Sequence, residues 1–400
     1  MADRKIKDFK LDKTKSIIPP NGEINGSNFV LTPVYEDTPL TPDTDVSPYS
    51  TTRQGKPIHG ILAASTAHGE ITKDEIAHVS TIKSEGVDII IEEEAIGDLT
   101  PQTFKVLIRL LEDATKQLPQ GKTATADAIK KGRIVRLSLN SYMAGCNLRD
   151  IKEARSQLNN SIKALYAVSL EWNEDSYEKP EGKSRKVKVT KHHRMRITDH
   201  TITEEEGNPV KGGVAEFRFS FDMAEYLSNA YLMPFNPAIY TINTHKNPYS
   251  LSFAWKLFTL QNVNITNHHL DRLNETTVKT LLSSAKGIPQ YSTLAKRGNI
   301  YDRLIKPFDR DLAALKTTYG ILSDYWYYTD KGERVYSSQL GLLSYTEFSA
   351  LHIHYELKDY PDQTPRLEAK SRRIRAAISR RKSAAKKKKT DENGTGDGAQ

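Results

Sequence analysis

The chain has 400 residues, with 58 Lys and Arg against 50 Asp and Glu for a formal charge of +8, and a hydrophobic share of 37%. That length holds two or three domains with cores of their own, and the low apolar share assigns part of it to linker or tail. A single cysteine, Cys146, excludes a disulfide framework and a cysteine-rich zinc site. With no leader segment and no apolar run near membrane-spanning length, the expectation is a soluble, cytoplasmic protein with no membrane partner.

The positive charge is uneven. Between Lys370 and Lys389 stand 11 Lys or Arg and no acid, so the remaining residues carry a small net negative charge, +8 less 11. A second basic block holds Lys179, Lys183, Arg185, Lys186, Lys188, Lys191, Arg194 and Arg196 against one acid, Glu181. Two cationic segments on a near-neutral body are the electrostatic footprint of a protein that meets a polyanion. Neither has the Trp, Phe or Leu face that inserts into lipid.

Taken in order, residues 1–78 are rich in Pro, Thr, Asp and Gly and are expected to be extended or disordered, with one short helix before Val79. Ile89, Ile90 and Ile91 suit a strand. Thr100 followed by Pro101 is a helix start, a hydroxyl cap and then proline at the first position, and the helix buries Phe104, Leu107, Leu111, Ala114 and Leu118.

The stretch Ile134 to Trp172, IVRLSLNSYMAGCNLRDIKEARSQLNNSIKALYAVSLEW, follows as strand, short helix, turn at Gly145-Cys146-Asn147, long helix and strand. Cys146 is expected as a small buried residue of that turn. The long helix has its apolar stripe at Leu148, Ile151, Ala154, Leu158, Ile162 and Leu165. Its outer face carries Arg149, Lys152, Glu153, Ser156, Asn160 and Lys163. Such a face can dock in a major groove, or be no more than the solvated side of a surface helix.

An internal repeat favours the groove. Adding 150 to the stripe gives Tyr301, Leu304, Phe308, Leu312 and Leu315 in NIYDRLIKPFDRDLAALKTT, with Arg303, Lys306 and Arg310 outward. The second face is the more cationic and is expected to supply more of the base reading. Each copy follows a helical segment, PQTFKVLIRLLEDATKQL or SLSFAWKLFTLQNV, and precedes an aromatic-rich strand. AVSLEW is expected to begin the first wing, a long hairpin whose Lys183, Arg185, Lys186, Lys188 and Arg194 are placed to contact DNA. DMAEYLSNAYLMPF is expected as a helix ending near Pro234. Pro307 conflicts with a helix interior, so the second long helix either starts near Lys306 or bends. A hairpin at Asp330-Lys331-Gly332, a short helix and a last strand complete the copy.

The predicted fold class is α+β, with two tandem winged helix-turn-helix domains, an extended N-terminal region and a basic C-terminal tail. The expected boundaries are 1–78, 79–233 with the long basic wing, 234–362, and 363–400 for the tail. This arrangement, with the phrases RLSLNSYMAGCNLRDIKEARSQL, FRFSFDMAEYL and NPYSLSFAWKLF, resembles plasmid-type replication initiators built from two winged helices, over roughly Thr100 to Lys358. The resemblance implies a protein that binds repeated origin sites in double-stranded DNA, opens or marks the origin, recruits host replication proteins and exchanges between monomer and homodimer. The long basic wing, the extended N-terminus and Pro307 depart from that pattern.

Two alternatives stand beside it. A transcriptional regulator of the same fold shares the DNA-binding step. A metal-dependent nickase would use Tyr328, in a YxxK spacing, with the His352-Ile353-His354 triplet. Without a third metal ligand or a GxxxxGK[ST] loop, the expectation is a non-enzymatic protein with no cofactor and no metal.

Overall fold

The computed structural model describes residues 50–54, 56–66, 71–74, 78–84, 87–92, 99–119, 124–178, 187–199, 208–266, 272–285, 288 and 299–360. The fold is mixed α and β. No helix among the described residues is long and apolar enough to cross a membrane.

The stretch before Val79 is more structured than its composition predicts. β1 (Ser50–Gln54), α1 (Lys56–Thr66) and β2 (Ile71–Asp74) precede β3 (Val79–Ser84) and β4 (Val87–Glu92). Ile58, Ile61, Leu62 and Ala64 bury the inner side of α1. A Cβ at Gly60 would lie 3.1 Å from that of Val87, so glycine sets how closely α1 approaches β4. These buried residues form one short apolar run in a stretch otherwise rich in turn formers, which hides them from a composition argument. Residues 1–49 and 361–400, including the basic tail, lie outside the described residues.

The first helical unit begins with α2 (Pro101–Gln117), where Thr100 and Thr103 form a reciprocal capping box and Pro101 stands in the first turn. α3 (Ala126–Gly132), β5 (Ile134–Ser138), α4 (Leu139–Gly145) and α5 (Ile151–Tyr166) follow. Asn147 takes a positive φ of 52° at the turn between α4 and α5, a conformation asparagine tolerates. Then come β6 (Val168–Glu178), β7 (Val187–Arg196), β8 (Val210–Lys211), β9 (Val214–Arg218) and α6 (Phe221–Asn229).

Strand pairing departs from the hairpin expected as the first wing. β5 pairs antiparallel with β9, Val135 opposite Phe217, and β9 pairs with β8, giving the order β5-β9-β8. The long hairpin β6–β7 joins a separate five-stranded antiparallel sheet, β2-β3-β4-β6-β7. Val168, Leu170 and Trp172 of β6 are buried in line with Val87, Ile89 and Ile91 of β4, and a one-residue slip would turn that whole set to solvent. The hairpin that follows α5 in sequence is therefore not the one that pairs with β5.

A second correction concerns residues 221–235. α6 stops at Asn229, and β10 (Tyr231–Phe235) pairs with β1, where Pro234 stands opposite Thr51. A 3-10 turn, Pro237–Thr241, leads to α7 (Ser250–Thr266), β11 (Glu275–Thr277) and α8 (Val278–Ser284). A π-helical turn, Tyr301–Ile305, runs directly into α9 (Lys306–Thr317). Its Lys306 N–H bonds to Tyr301 O, a wider loop than the α ladder, and this accommodates Pro307, which has no N–H to donate. Of the two alternatives at Pro307 the structure has the new α start at Lys306, entered from the π-helical turn.

β12 (Leu322–Tyr328), β13 (Arg334–Val335), α10 (Tyr345–Ala350) and β14 (His352–Leu357) complete the chain, in a sheet of order β11-β14-β12-β13. α7 buries Leu251, Phe253, Ala254, Trp255, Leu257 and Phe258, nearly all of its circumference. Phe104 of α2 meets Trp255 edge-on at 5.2 Å, and Phe253 packs on Phe308 of α9 at 4.8 Å. One hydrophobic core thus passes from the first unit through α7 to the second.

Candidate nucleic-acid interface

α5 is held from three sides. Leu158, Ile162 and Leu165 are fully buried, each contributing about 1.5–3 kcal/mol of apolar transfer. Asp150 caps its start by accepting from the N–H groups of Lys152 (2.7 Å) and Glu153 (3.2 Å). Gln102 of α2 donates to the Tyr142 hydroxyl, which donates in turn to Gln157 at 3.4 Å, so one chain of bonds ties α2, α4 and α5.

What remains outward is Lys152, Ser156 and Asn160, all exposed, with Arg149 exposed just before the helix and Lys163 half-buried. Arg155, also exposed, joins them and was missed because it sits between the positions of a strict three- and four-residue count. None of Arg149, Lys152, Arg155 and Lys163 forms an ion pair among the described residues. Ile151, expected in the stripe, is 49% exposed, and its counterpart Tyr301 is 39% exposed. At this pair of equivalent positions, then, the stripe stands largely clear of the core, whereas Leu148 before it packs against the core.

The short hairpin β8–β9 is anchored to this helix. Asn159, buried on α5, accepts from Val210 N–H at 2.9 Å, and the Gly213 carbonyl accepts from Leu139 N–H at 2.9 Å. Gly212 and Gly213 turn at φ of 58° and 81°, and Lys211 and Val214 are exposed beside them. The tip therefore lies near the start of α4 rather than out on the basic block.

The second unit uses its cations differently. Arg303 and Lys306 are exposed, but Lys306 pairs with Asp302 at 3.7 Å. Arg310 places Nε 2.8 Å and a terminal nitrogen 2.7 Å from Oδ1 of Asp311, a carboxylate with no exposure at all. The face read from the sequence as the more cationic also carries acid: two of its three cations have carboxylate neighbours.

Of the basic hairpin, Lys183, Arg185 and Lys186 lie outside the described residues, and Lys188 is on β7. Arg194 is exposed and pairs with Glu171 at 2.9 Å, and Arg196 pairs with Glu92 at 3.3 Å. His193 stacks on Trp172 at 4.9 Å.

His352 and His354 share one face of β14, with Tyr328 opposite His352 on β12. His354 stacks on Trp326 at 4.0 Å, and His352 lies 2.7 Å from Asp330. Burial, helped by Glu275, pushes the Tyr328 hydroxyl up to about 12. A nucleophilic tyrosine needs the opposite shift. Among the described residues no cluster of three or more His, Cys, Asp or Glu has metal-binding geometry.

A cavity of about 830 Å³ lies where the turn between α4 and α5 meets residues 240–249, lined in part by Gln102, Lys105, Cys146, Leu148, His245 and Tyr249. Burial pushes the Cys146 thiol up, away from a reactive thiolate.

No protein family matches the sequence, and no curated protein matches it. Among solved structures the chain is similar to domains 2 and 3 of RctB, in a selenomethionine form, at 14% identity and a TM-score of 0.37 over 76% of this chain and 99% of that one. It is similar to a second structure of the same RctB domains at 14% identity and a TM-score of 0.35, over 75% and 96%.

Proposed function

We propose that the protein binds double-stranded DNA through two winged helix-turn-helix units in tandem and serves as a replication initiator of plasmid type, engaging origin repeats and recruiting host replication proteins. One observation carries the reading. In each unit the strand before the helix pair is hydrogen-bonded to a later strand that pairs in turn with a third: β5-β9-β8 in the first, where β8 and β9 form a hairpin, and β11-β14-β12 in the second, where β13 and α10 lie between β12 and β14 in sequence. That order around two helices is what a winged helix requires, and it occurs twice about helices with the same buried spacing.

The faces suit the role. Arg149, Lys152, Arg155, Ser156 and Asn160 supply phosphate contacts and base-edge hydrogen bonds from one helix, and Arg303 and Lys306 supply them from the other. Lys183, Arg185, Lys186, Lys188 and the segment from Lys370 to Lys389 add attraction that does not depend on sequence.

Duplex selection followed by cloning of the DNA that flanks the gene tests the whole reading. The expected result is an enriched motif that recurs in that DNA and confers autonomous replication when the protein is supplied. An enriched motif without replication makes the protein a regulator; no enrichment from any pool removes DNA binding. A covalent protein–DNA adduct lost in Tyr328→Phe would establish the nickase instead.

A further inference from the structure

The cavity of about 830 Å³ between α2, the turn from α4 to α5 and the segment connecting the two units has a charge at its floor. Lys105 of α2, only 5% exposed, lines it and donates to the carbonyls of Tyr240 (3.2 Å) and Ile242. An ammonium has three N–H groups, so one is left over. No carboxylate pairs with Lys105 among the described residues: Glu112 on the same helix is taken by Arg109 at 2.9 Å and by the Tyr240 hydroxyl at 3.0 Å. The ionisable group that acts on it is the Cys146 thiol, which burial holds in its neutral form. A buried ammonium without a counter-charge is costly, and the cavity is the side from which a counter-charge can come. Thr100 and Gln102, in the first turn of α2, line the same wall and add the positive end of a helix dipole.

The walls are held in place by hydrogen bonds. On one side the chain of bonds from Gln102 through Tyr142 to Gln157 ties α2 to α5. On the other, Asp311 of α9 accepts from Tyr249 N–H at 2.7 Å and from the Asn247 amide at 3.2 Å, while its own carbonyl accepts from the Ser250 hydroxyl at 2.8 Å. The Tyr319 hydroxyl accepts from Asn243 N–H at 3.0 Å and donates to Asn247 Oδ1 at 2.9 Å. Leu148, Ile242 and Tyr249 give the lining an apolar part, and Glu153 and His245 are exposed at the mouth.

We infer that this cavity binds a small organic monocarboxylate, its carboxylate against Lys105 and its body along Leu148 and Tyr249 toward the mouth. One ammonium matches one negative charge. A phosphate monoester carries nearly two at neutral pH and would bury one of them unmatched. Glu153 at the mouth suits an amine at the other end of the ligand, so a simple acid and an amino acid share the seat at the floor and differ at the rim. A bound acid would join the turn that leads into α5 to the connecting segment. The inference does not depend on what the outward face of α5 touches.

Cys146 is the single cysteine of the chain and lines the same cavity, so its alkylation reports on the site in the unaltered full chain. Iodoacetate and iodoacetamide react alike: an Sγ–carbon bond forms, iodide leaves and the thiol proton passes to water. Only the first brings a carboxylate. Relative to a small free thiol, Cys146 should favour iodoacetate over iodoacetamide by about tenfold or more, and the preference should vanish in Lys105→Met. Propionate and leucine are then offered as protectants against iodoacetamide, beside propionamide, leucinamide, inorganic phosphate and duplex DNA. An acid that fits should slow alkylation about tenfold when well above its Kd, and its amide should not. Protection by leucine that weakens in Glu153→Gln makes the seat one for amino acids; protection by propionate alone makes it one for simple acids. A reagent preference no greater than that of the free thiol overturns the inference. So do amides that protect as well as their acids, or protection given only by phosphate or only by DNA. If Lys105→Met does not fold, the parent's reagent preference and the contrast between acid and amide decide.

Discussion

In the first unit Arg149, Lys152, Arg155 and Lys163 surround a helix with no carboxylate paired to any of them among the described residues, whereas the second ties Lys306 to Asp302 and Arg310 to Asp311. The buried spacing is the same in both, from Ala154 and Leu304 to Leu165 and Leu315. The repeat therefore keeps the frame and not the use of charge. Asn160 and Ser161 of the first helix stand where Arg310 and Asp311 stand in the second, so a solvent-facing amide and a small buried hydroxyl are replaced by an ion pair that fastens the connecting segment. A cation on an outward face is not by that fact available to a ligand.

The largest effect expected of that difference is on stability. Asp311→Ala strands the Tyr249 N–H, the Asn247 amide and the Arg310 guanidinium, and should cost about 3–5 kcal/mol in urea unfolding. Ser161→Ala at the equivalent position should cost about 1 kcal/mol or less. Equal losses would show that the Asp311 network does no more than a small buried hydroxyl.

Lys105 allows a sharper measurement by pH. Burial lowers its ammonium from 10.5 to about 8, so between those values the folded protein has released a proton that the unfolded chain still holds. The unfolded state then binds more protons, and the stability contributed at this position rises with pH from about 8 to about 10.5 and is flat outside that window. The difference in unfolding free energy between the parent and Lys105→Met should shift in the parent's favour by up to ~3 kcal/mol across the window. Tyrosines that titrate there cancel, because both proteins have them. A difference that stays constant means that Lys105 is not buried as a charge.

On DNA the same comparison takes the form of a salt slope. Arg149→Ala, Lys152→Ala and Arg155→Ala combined should flatten the dependence of log affinity on log salt by about 3, roughly 0.9 for each phosphate that is no longer neutralised. Arg303→Ala should flatten it by about 1. Arg310→Ala should leave the slope alone and lower stability. A slope that responds to Arg310 as strongly as to Arg303 restores it to the DNA face.

The smallest effect belongs to the two hairpin turns. Gly213 and Gly332 both adopt φ of 81° with open space where a Cβ would stand, so alanine meets no clash and bears only the backbone strain. About 1 kcal/mol is expected at each, without loss of pairing in either sheet. A larger loss at Gly213 would report the bond from Leu139 N–H to its carbonyl.

Much of the helical frame was legible in residue spacing. Thr100 and Pro101 marked the start of α2, Gly145 to Asn147 marked the turn, and the offset of 150 found the second long helix. Sheet membership was not. Periodicity shows that Val168, Leu170 and Trp172 face a core, but only tertiary pairing decides that the neighbour is β4 and not β5. The role of Arg310 was hidden for a related reason: its partner Asp311 is adjacent in sequence on a helix, where adjacent residues do not ordinarily face each other. The burial of α1 escaped because Ile58, Ile61, Leu62 and Ala64 are embedded in a stretch dominated by turn formers.

The five-stranded sheet ends on β7, whose far side has no neighbouring strand among the described residues. An open row of backbone N–H and C=O groups is a template for the same strand of another copy. β7 includes Lys188, Lys191, Arg194 and Arg196, of which Arg194 and Arg196 pair with Glu171 and Glu92, and charged residues on an edge strand disfavour edge-to-edge pairing. The charge on this hairpin is expected to oppose such pairing, whether or not nucleic acid is present. Replacing its cations with threonine, which favours strands and carries no charge, removes that repulsion and turns a guarded margin into a seam along which copies can zip together.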